Sequence, residues 1–311
     1  MGVVFAILGR KASDVFSNSD LWLGFVGAQA CSLLTILTTG VTLVLLNGPP
    51  VSYGQAIRAV ALSVAFFLFL PSRLSDGLKP LYLSAVSGQP VTRGIATVMA
   101  ERFLDLVVVG GLVAMAIVLV ASDVHQSALL GAAAVFWLIV SVGVIGIVLI
   151  WRAPMLFDRV IAILPFERLR NLANDLVVAV RATVAPQRLA MALGTASLTW
   201  LISLALFDVF LKMAGSIELT IAQVLVVFVM ASAGLALAIA PGGIGTFEAG
   251  FVAGMSLYGY AFDEALLLAV VVRVATMSVP LVIVAGMILA GDVDITSLIK
   301  RLRRPDARRA A

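Results

Sequence analysis

Six stretches of the chain run for 16 to 26 residues with almost no charged position: 21–46, 106–121, 128–150, 189–207, 219–240 and 265–290, the last interrupted once by Arg273. About 20 apolar residues in a helix cross the roughly 30 Å hydrocarbon core of a bilayer. Inside lipid such runs must be helical, because each backbone N–H and C=O needs a partner within its own segment. Two further apolar runs, 59–70 and 247–260, are too short to cross comfortably and read either as spans or as segments that enter and leave on one side. The pattern predicts an all-α fold: a polytopic membrane helical bundle of about eight membrane helices, two of them in Pro/Gly-broken or re-entrant segments.

Composition agrees with the pattern. Hydrophobic residues make up 62% of the chain and charged residues 12%, and the mean hydropathy is +1.13. Soluble domains carry about 25% charged residues, so this chain lacks the polar surface to cover such a core in water.

Charge then assigns sides. The net charge of +4 does not signal nucleic acid, because the basic residues concentrate in the 152–188 connection and in the KRLRRPDARR tail. The positive-inside rule puts both on the cytoplasmic face. From a cytoplasmic start, the first long helix exits, and connections 47–55, 122–127 and 214–220, nearly free of Lys and Arg, are expected outside. Both termini are then cytoplasmic.

The chain divides into an interfacial segment 1–20, one membrane domain 21–290 with possible halves 21–150 and 189–290, and a basic tail 291–311. The joining stretch 151–188 is too short for a soluble catalytic domain, which takes about 50 residues or more. Within it Leu172, Leu176, Val177, Val180 and Val184 share one helical face, which predicts an amphipathic helix on the headgroups. Cys31 is the single cysteine and His125 the single histidine, so neither a disulfide within the chain nor a histidine-based metal site or catalytic dyad is available. No metal, cofactor or catalytic residue is expected.

The two breaks carry the chemistry. FLPSRLSDGLKP interrupts one apolar run at Pro71, and AIAPGGIGTFEAG interrupts another at Pro241. Each has proline, then a small residue (Ser75 or Gly245), then an acid (Asp76 or Glu248). Arg102 follows Pro71 by 31 positions and Arg273 follows Pro241 by 32. This suggests an internal repeat, parallel under the simple topology and inverted if one segment re-enters. Proline cannot donate the bond that would continue a helix, and Gly242, Gly243 and Gly245 permit backbone angles closed to other residues. Exposed backbone in a membrane is tolerated only against protein or a wet cavity, and paired breaks in two halves point to a transporter's midplane site.

Thr246 is positioned to cap a half-helix beginning near Phe247, with Glu248 in its first turn. A guanidinium near the bilayer centre costs at least about 2.5 to 3.5 kcal/mol on insertion scales, so Arg102 and Arg273 must face protein or water. Arg102 has Glu101 beside it and Asp105 at i+3, so a structural ion pair competes with a binding role. Arg273 has no acid within reach on its own helix, which leaves Glu248, Asp76 or a lipid phosphate as partner. Asp208 and Lys212 read as an interfacial i,i+4 pair. GGIGTFEAG is not a nucleotide loop: its spacing is wrong, no strand precedes it, and no Gly-Lys-Ser/Thr ends it.

APGGIGTFEAG resembles the Pro-Gly-Gly-x-Gly-x-x-Glu signature of the lysylphosphatidylglycerol synthase transmembrane-region family, the flippase-like membrane half of the multiple peptide resistance factor. LPSRLSDGLKP and MAERFLDL are similar to that family's earlier elements, and Trp200 and Arg273 fall where its pattern expects them. Ser75-Asp76 replaces its usual Gly-acid pair, and Ser203 stands where an acid is common.

The resemblance implies a lipid translocase-like protein of a prokaryotic cytoplasmic (inner) membrane, without the soluble aminoacyl-transferase domain of longer relatives. It also implies a partner: an anionic lipid or a polyprenyl-phosphate-type lipid, passed between leaflets. The alternative is an accessory subunit presenting lipid to a separate lipid-modifying enzyme or glycosyltransferase. The candidate substrate-binding residues are Pro71, Arg73, Asp76, Glu101, Arg102, Asp105, Pro241, Gly242, Gly243, Gly245, Glu248 and Arg273.

Overall fold

The computed structural model describes residues 19–70, 72–120, 166–183, 186–213, 217–236 and 240–291, with scattered positions between 137 and 163. Among the described residues it is helical throughout. The helices are α1 (Ser19–Asn47), α2 (Tyr53–Phe67), α3 (Ser72–Asp76), α4 (Leu78–Ser87), α5 (Val91–Val120), α6 (Glu167–Thr183), α7 (Pro186–Met213), α8 (Ile221–Ala236), α9 (Thr246–Ser256) and α10 (Phe262–Leu289), with a 3-10 turn at Pro241–Gly243. Four of these, α1, α5, α7 and α10, are long and apolar enough to cross a membrane. The fold is a helical membrane bundle. The expected span 128–150 lies outside the described residues apart from isolated positions, as do His125 and Val184.

Helices α1 and α7 form the spine. They pack antiparallel, with the Thr42 and Thr195 hydroxyls 2.8 Å apart and Thr199 donating to the Thr38 hydroxyl at 2.7 Å. Most of these threonines also donate to a carbonyl three or four residues back, which satisfies the hydroxyl inside lipid. Gly24 lets α7 come close near Met213, so the far end of α7 lies beside the start of α1.

The spine defines two poles. At the Asn47 pole, Arg93 donates to the Asn47 carbonyl at 2.7 Å, and the Asn47 side chain exchanges hydrogen bonds with Gln89 and accepts one from Thr97. Arg188, at the head of α7, lies against Gly48. Val284 and Met287 near the end of α10 join Leu43, Val51 and Ala56 there. At the Ser19 pole a second core gathers Ala28, Ala116, Phe207, Phe210, Ile217, Phe251 and Ala265.

This geometry groups the connections differently from the simple topology. Connection 47–55 was expected opposite the basic 152–188 stretch, yet Asn47 and Gly48 touch Arg93 and Arg188. The reason is that the apolar run 59–70 belongs to a segment that turns back on itself between two described helix ends. For the same cause the start of α1 and the end of α10 lie at opposite poles, where a shared side was expected.

The short segments are two re-entrant hairpins. In the first, α2 runs inward and α3 with α4 run back: Ser63 meets Asp76 near the tip, and Gln55 reaches the Val86 carbonyl near the mouth. In the second, α8 and α9 are antiparallel, with Gly234 against Thr246, Gly250 against Met230 and Gly254 against Val227. These glycines leave no side chain between the helices, so the two backbones touch. The first hairpin opens at the Asn47 pole and the second at the Ser19 pole, and their tips meet where Gly242 faces Leu68 and α3 touches the 3-10 turn. The two hairpins therefore point in opposite directions.

Helix α5 extends upstream of the uncharged run 106–121. The helix starts at Val91 and carries Glu101, Arg102 and Asp105 in its interior, because hairpin and spine side chains partner them. Helix α6 forms where an amphipathic helix was expected. It packs on α5, placing Val180 near Ala100 and Leu104.

Candidate functional site

The tip of the first hairpin is held to α5 by ion pairs. Lys79 on α4 is 2% exposed and donates to Glu101 Oε1 at 2.6 Å. Its Nζ also lies 3.7 Å from Asp76 Oδ1. Arg102 donates to Asp76 at 2.9 Å and to Asp105 at 2.8 Å, and its Nη2 lies 3.6 Å from Glu101. Trp200 of α7 closes the group, its indole N–H donating to Asp105 Oδ1 at 3.0 Å. The Ser63 hydroxyl donates to Asp76 at 3.3 Å.

Burial within this group is uneven. The Glu101 side chain keeps 4% of its exposure, whereas Arg102 keeps 42%. Arg102 is thus the more exposed cation of the group, and Lys79 the buried one. Arg102 Nε and Glu101 Oε2 are buried without a hydrogen-bond partner.

The second hairpin has a smaller, self-contained arrangement. Gly242, Gly243 and Gly245 all have positive φ, at 67°, 60° and 88°, conformations that side-chain-bearing residues avoid. They turn the chain so that α9 begins at Thr246. The cap differs from expectation: the Gly245 N–H donates to Glu248 Oε2 at 2.7 Å, while the Thr246 hydroxyl donates back to the Gly243 carbonyl at 3.1 Å. Arg273 of α10 donates from Nε to Glu248 Oε1 at 3.1 Å and from Nη2 to the Gly243 carbonyl at 2.8 Å. Its guanidinium also lies over the Phe247 ring, 4.6 Å from the centroid. The partner left open for Arg273 is Glu248.

The sequence-derived residues therefore fall into two groups on either side of the tip contact: Asp76, Glu101, Arg102 and Asp105 on one, Gly242, Gly243, Gly245, Glu248 and Arg273 on the other. Pro241 lies exposed at the turn. Pro71 and the side chain of Arg73 lie outside the described residues. Lys79 is absent from the sequence-derived set; its i+3 spacing from Asp76 was the available signal. Ser63 was also missed, and nothing in its local pattern marks it. Asp208 and Lys212 pair at 2.8 Å as expected.

A central cavity joining Arg102 and Arg273 was expected. The tips are instead in contact, and each guanidinium is bound within its own group. Two cavities lie at the poles among the described residues, one of about 400 Å³ lined by Val44, Gly48, Arg188 and Met191, the other of about 250 Å³ beside Tyr258 and Gln223. Among the described residues no cluster of ligating side chains is suited to a metal ion.

Two opposed half-membrane hairpins, meeting between full-length helices with a fixed arginine behind each tip, define a polytopic membrane protein of the broken-helix type. More specifically, the chain belongs to the lysylphosphatidylglycerol synthase transmembrane-region family, whose profile matches residues 3–285. The match ties it to membrane-lipid function, through the membrane part of that family. Comparison with curated proteins and with solved structures found no match.

Proposed function

We propose that this protein binds the anionic headgroup of a membrane lipid, or of a polyprenyl-phosphate-type lipid, and passes it between leaflets at the junction of the hairpin tips while the tails stay in the bilayer. The observation that carries this reading is the Arg102 guanidinium, 42% exposed beside the buried pair Lys79 and Glu101 at that junction. Arginine's planar fork of donors suits a phosphate oxygen pair. In the closed arrangement Asp76 and Asp105 hold the fork; a headgroup phosphate replaces them when the tips part. Arg273 performs the equivalent role on the other side of the junction.

The basic face, with Arg93 and Arg188, is cytoplasmic in this reading, so the first hairpin enters from the cytoplasm and the second from outside. The membrane is a prokaryotic inner membrane, and the protein performs no covalent chemistry. Purified protein in liposomes carrying headgroup-labelled anionic lipid is expected to speed quencher access to inner-leaflet label, and Arg102→Ala to abolish the effect. Wild-type protein with no effect on several anionic lipids overturns the reading. An accessory role, presenting lipid to a separate lipid-modifying or glycosyl-transferring enzyme, is the second reading; the family's description as part of a synthase favours it.

A further inference from the structure

Two guanidinium groups converge on Gly48 at the Asn47 pole. A Cβ added there would fall 2.6 Å from Arg188 Nη1 and 3.5 Å from Arg93 Nη2. Like charges brought to one point repel, and an anion between them turns the repulsion into attraction. Arg93 spends Nη2 on the Asn47 carbonyl, a neutral acceptor, and its Nε is buried without a hydrogen-bond partner among the described residues. The cations arrive on different helices, Arg93 from the first turn of α5 and Arg188 from the first turn of α7, with the end of α1 beside them. Gly48 itself has φ 67° and presents no side chain at the point of convergence.

The cavity of about 400 Å³ at this pole has two unlike ends. Gly48, Gln187 and Arg188 form the polar one. Val44 and Leu45 on α1 and Met191 on α7 form the other, about one helical turn, roughly 5 Å, deeper along the spine. A free inorganic ion would use only the first end. A phosphate headgroup followed by acyl chain matches both, charge to charge and hydrocarbon to hydrocarbon. The place is separate from the hairpin junction: on α5, Arg93 stands a full two turns, roughly 13 Å, before Arg102.

We propose that the Asn47 pole carries a lipid-phosphate site, in which Arg188 and Arg93 clamp the phosphate of an anionic lipid over Gly48 and the first carbons of its chains lie against Val44, Leu45 and Met191. Arg188 is exposed and forms the outer jaw; Arg93, half-buried, forms the inner one. The site goes beyond the transport reading and holds whether or not lipid crosses at the junction.

The test uses the full chain in detergent micelles, with bound lipid counted by native mass spectrometry. Three probes separate the sources of the phosphate: dioleoyl phosphatidic acid, dioleoylglycerol with the same chains and no phosphate, and inorganic phosphate with no chains. Phosphatidic acid is expected to bind, and Arg188→Ala to weaken it by at least about tenfold, the loss of a charge-assisted hydrogen bond. Arg170→Ala removes an exposed arginine of α6 and is expected to leave binding unchanged. Inorganic phosphate is expected to compete about a hundredfold more weakly than phosphatidic acid, which corresponds to burying three or four methylenes. The same measurements on Arg102→Ala isolate the pole. Binding that persists there and falls when Arg188→Ala is added supports the site even in a protein that moves no lipid; binding lost with Arg102→Ala alone belongs to the junction and overturns it. The proposal is also overturned by equal losses in Arg188→Ala and Arg170→Ala, by dioleoylglycerol binding as well as phosphatidic acid, or by inorganic phosphate competing at equal concentration. Binding absent from the unchanged chain but gained with Asp292→Asn and Asp294→Asn together overturns it too, since the chain's own tail then fills the clamp. Should Arg188→Ala not fold, Arg188→Gln replaces it with the same expected loss.

Discussion

Replacing Gly250 by alanine tests the re-entrant hairpin directly. A Cβ there would fall on the Met230 carbonyl oxygen, with its carbon only 2.9 Å away and the Ala231 Cα at 3.1 Å. Carbon atoms pack at about 3.5 to 4.0 Å, so α8 and α9 must separate by roughly 0.5 to 1 Å. The obstacle is backbone, which cannot swing aside as a side-chain end would. Overpacking of this kind costs about 1 to 3 kcal/mol, and the better helix propensity of alanine returns about 1 kcal/mol.

The matching control is Gly111→Ala on α5, where an added Cβ meets nothing within 4 Å and only the propensity gain applies. Equilibrium unfolding in mixed micelles with increasing dodecyl sulfate should therefore place Gly250→Ala about 1 to 3 kcal/mol below Gly111→Ala. Gly234→Ala, against the Thr246 carbonyl, should behave like Gly250→Ala. Equal stability of all three variants would refute backbone-to-backbone packing of α8 on α9, and with it the inverted arrangement.

Cysteines at Leu68 and Gly242 should cross-link on mild oxidation and stop lipid movement until reduced, read by gel mobility and by the liposome assay; no cross-link means the tips do not meet. Arg273→Ala leaves Glu248 half-partnered and takes one of two donors from the Gly243 carbonyl, a loss of about 3 kcal/mol on the scale of broken buried pairs, whereas Glu248→Gln, which keeps an acceptor for the Gly245 N–H, should lose less. Denaturant midpoints of the two variants check the order. Trp200→Phe removes the indole donor from Asp105 and should cost about 1.5 to 3 kcal/mol, the range for a hydrogen bond to a charged group; an unchanged midpoint would show that the bond contributes nothing.

Much of the bundle was legible because lipid leaves the chain few options. Long uncharged runs had to be helices, and a mid-run proline with clustered glycines had to be a break. What local pattern did not reveal was the path of the short segments. A run of twelve apolar residues at 59–70 is compatible with a tilted span or with a turn-back, and only long-range contacts such as Gln55 to Val86 decide.

The same limit explains Lys79. Charge bias treats a lysine near a short connection as solvated, yet the turn-back carries it inward to Glu101, twenty-two positions on along another helix. Arg273 was the opposite case. With no acid on its own helix, its partner had to come from another element, and the PGGIGTFE break supplied both Glu248 and the Gly243 carbonyl.

The end-to-end meeting of the hairpins makes the protein a gauge of bilayer thickness. At about 1.5 Å per residue, α2 with 15 residues and α8 with 16 reach roughly 22 and 24 Å, together close to the 43 Å or so of the 29-residue α1. Neither hairpin has slack, so thin bilayers press one tip onto the other and thick ones draw them apart. Host lipids of differing chain length would therefore tune how tightly the junction closes, with no change in the headgroup it handles.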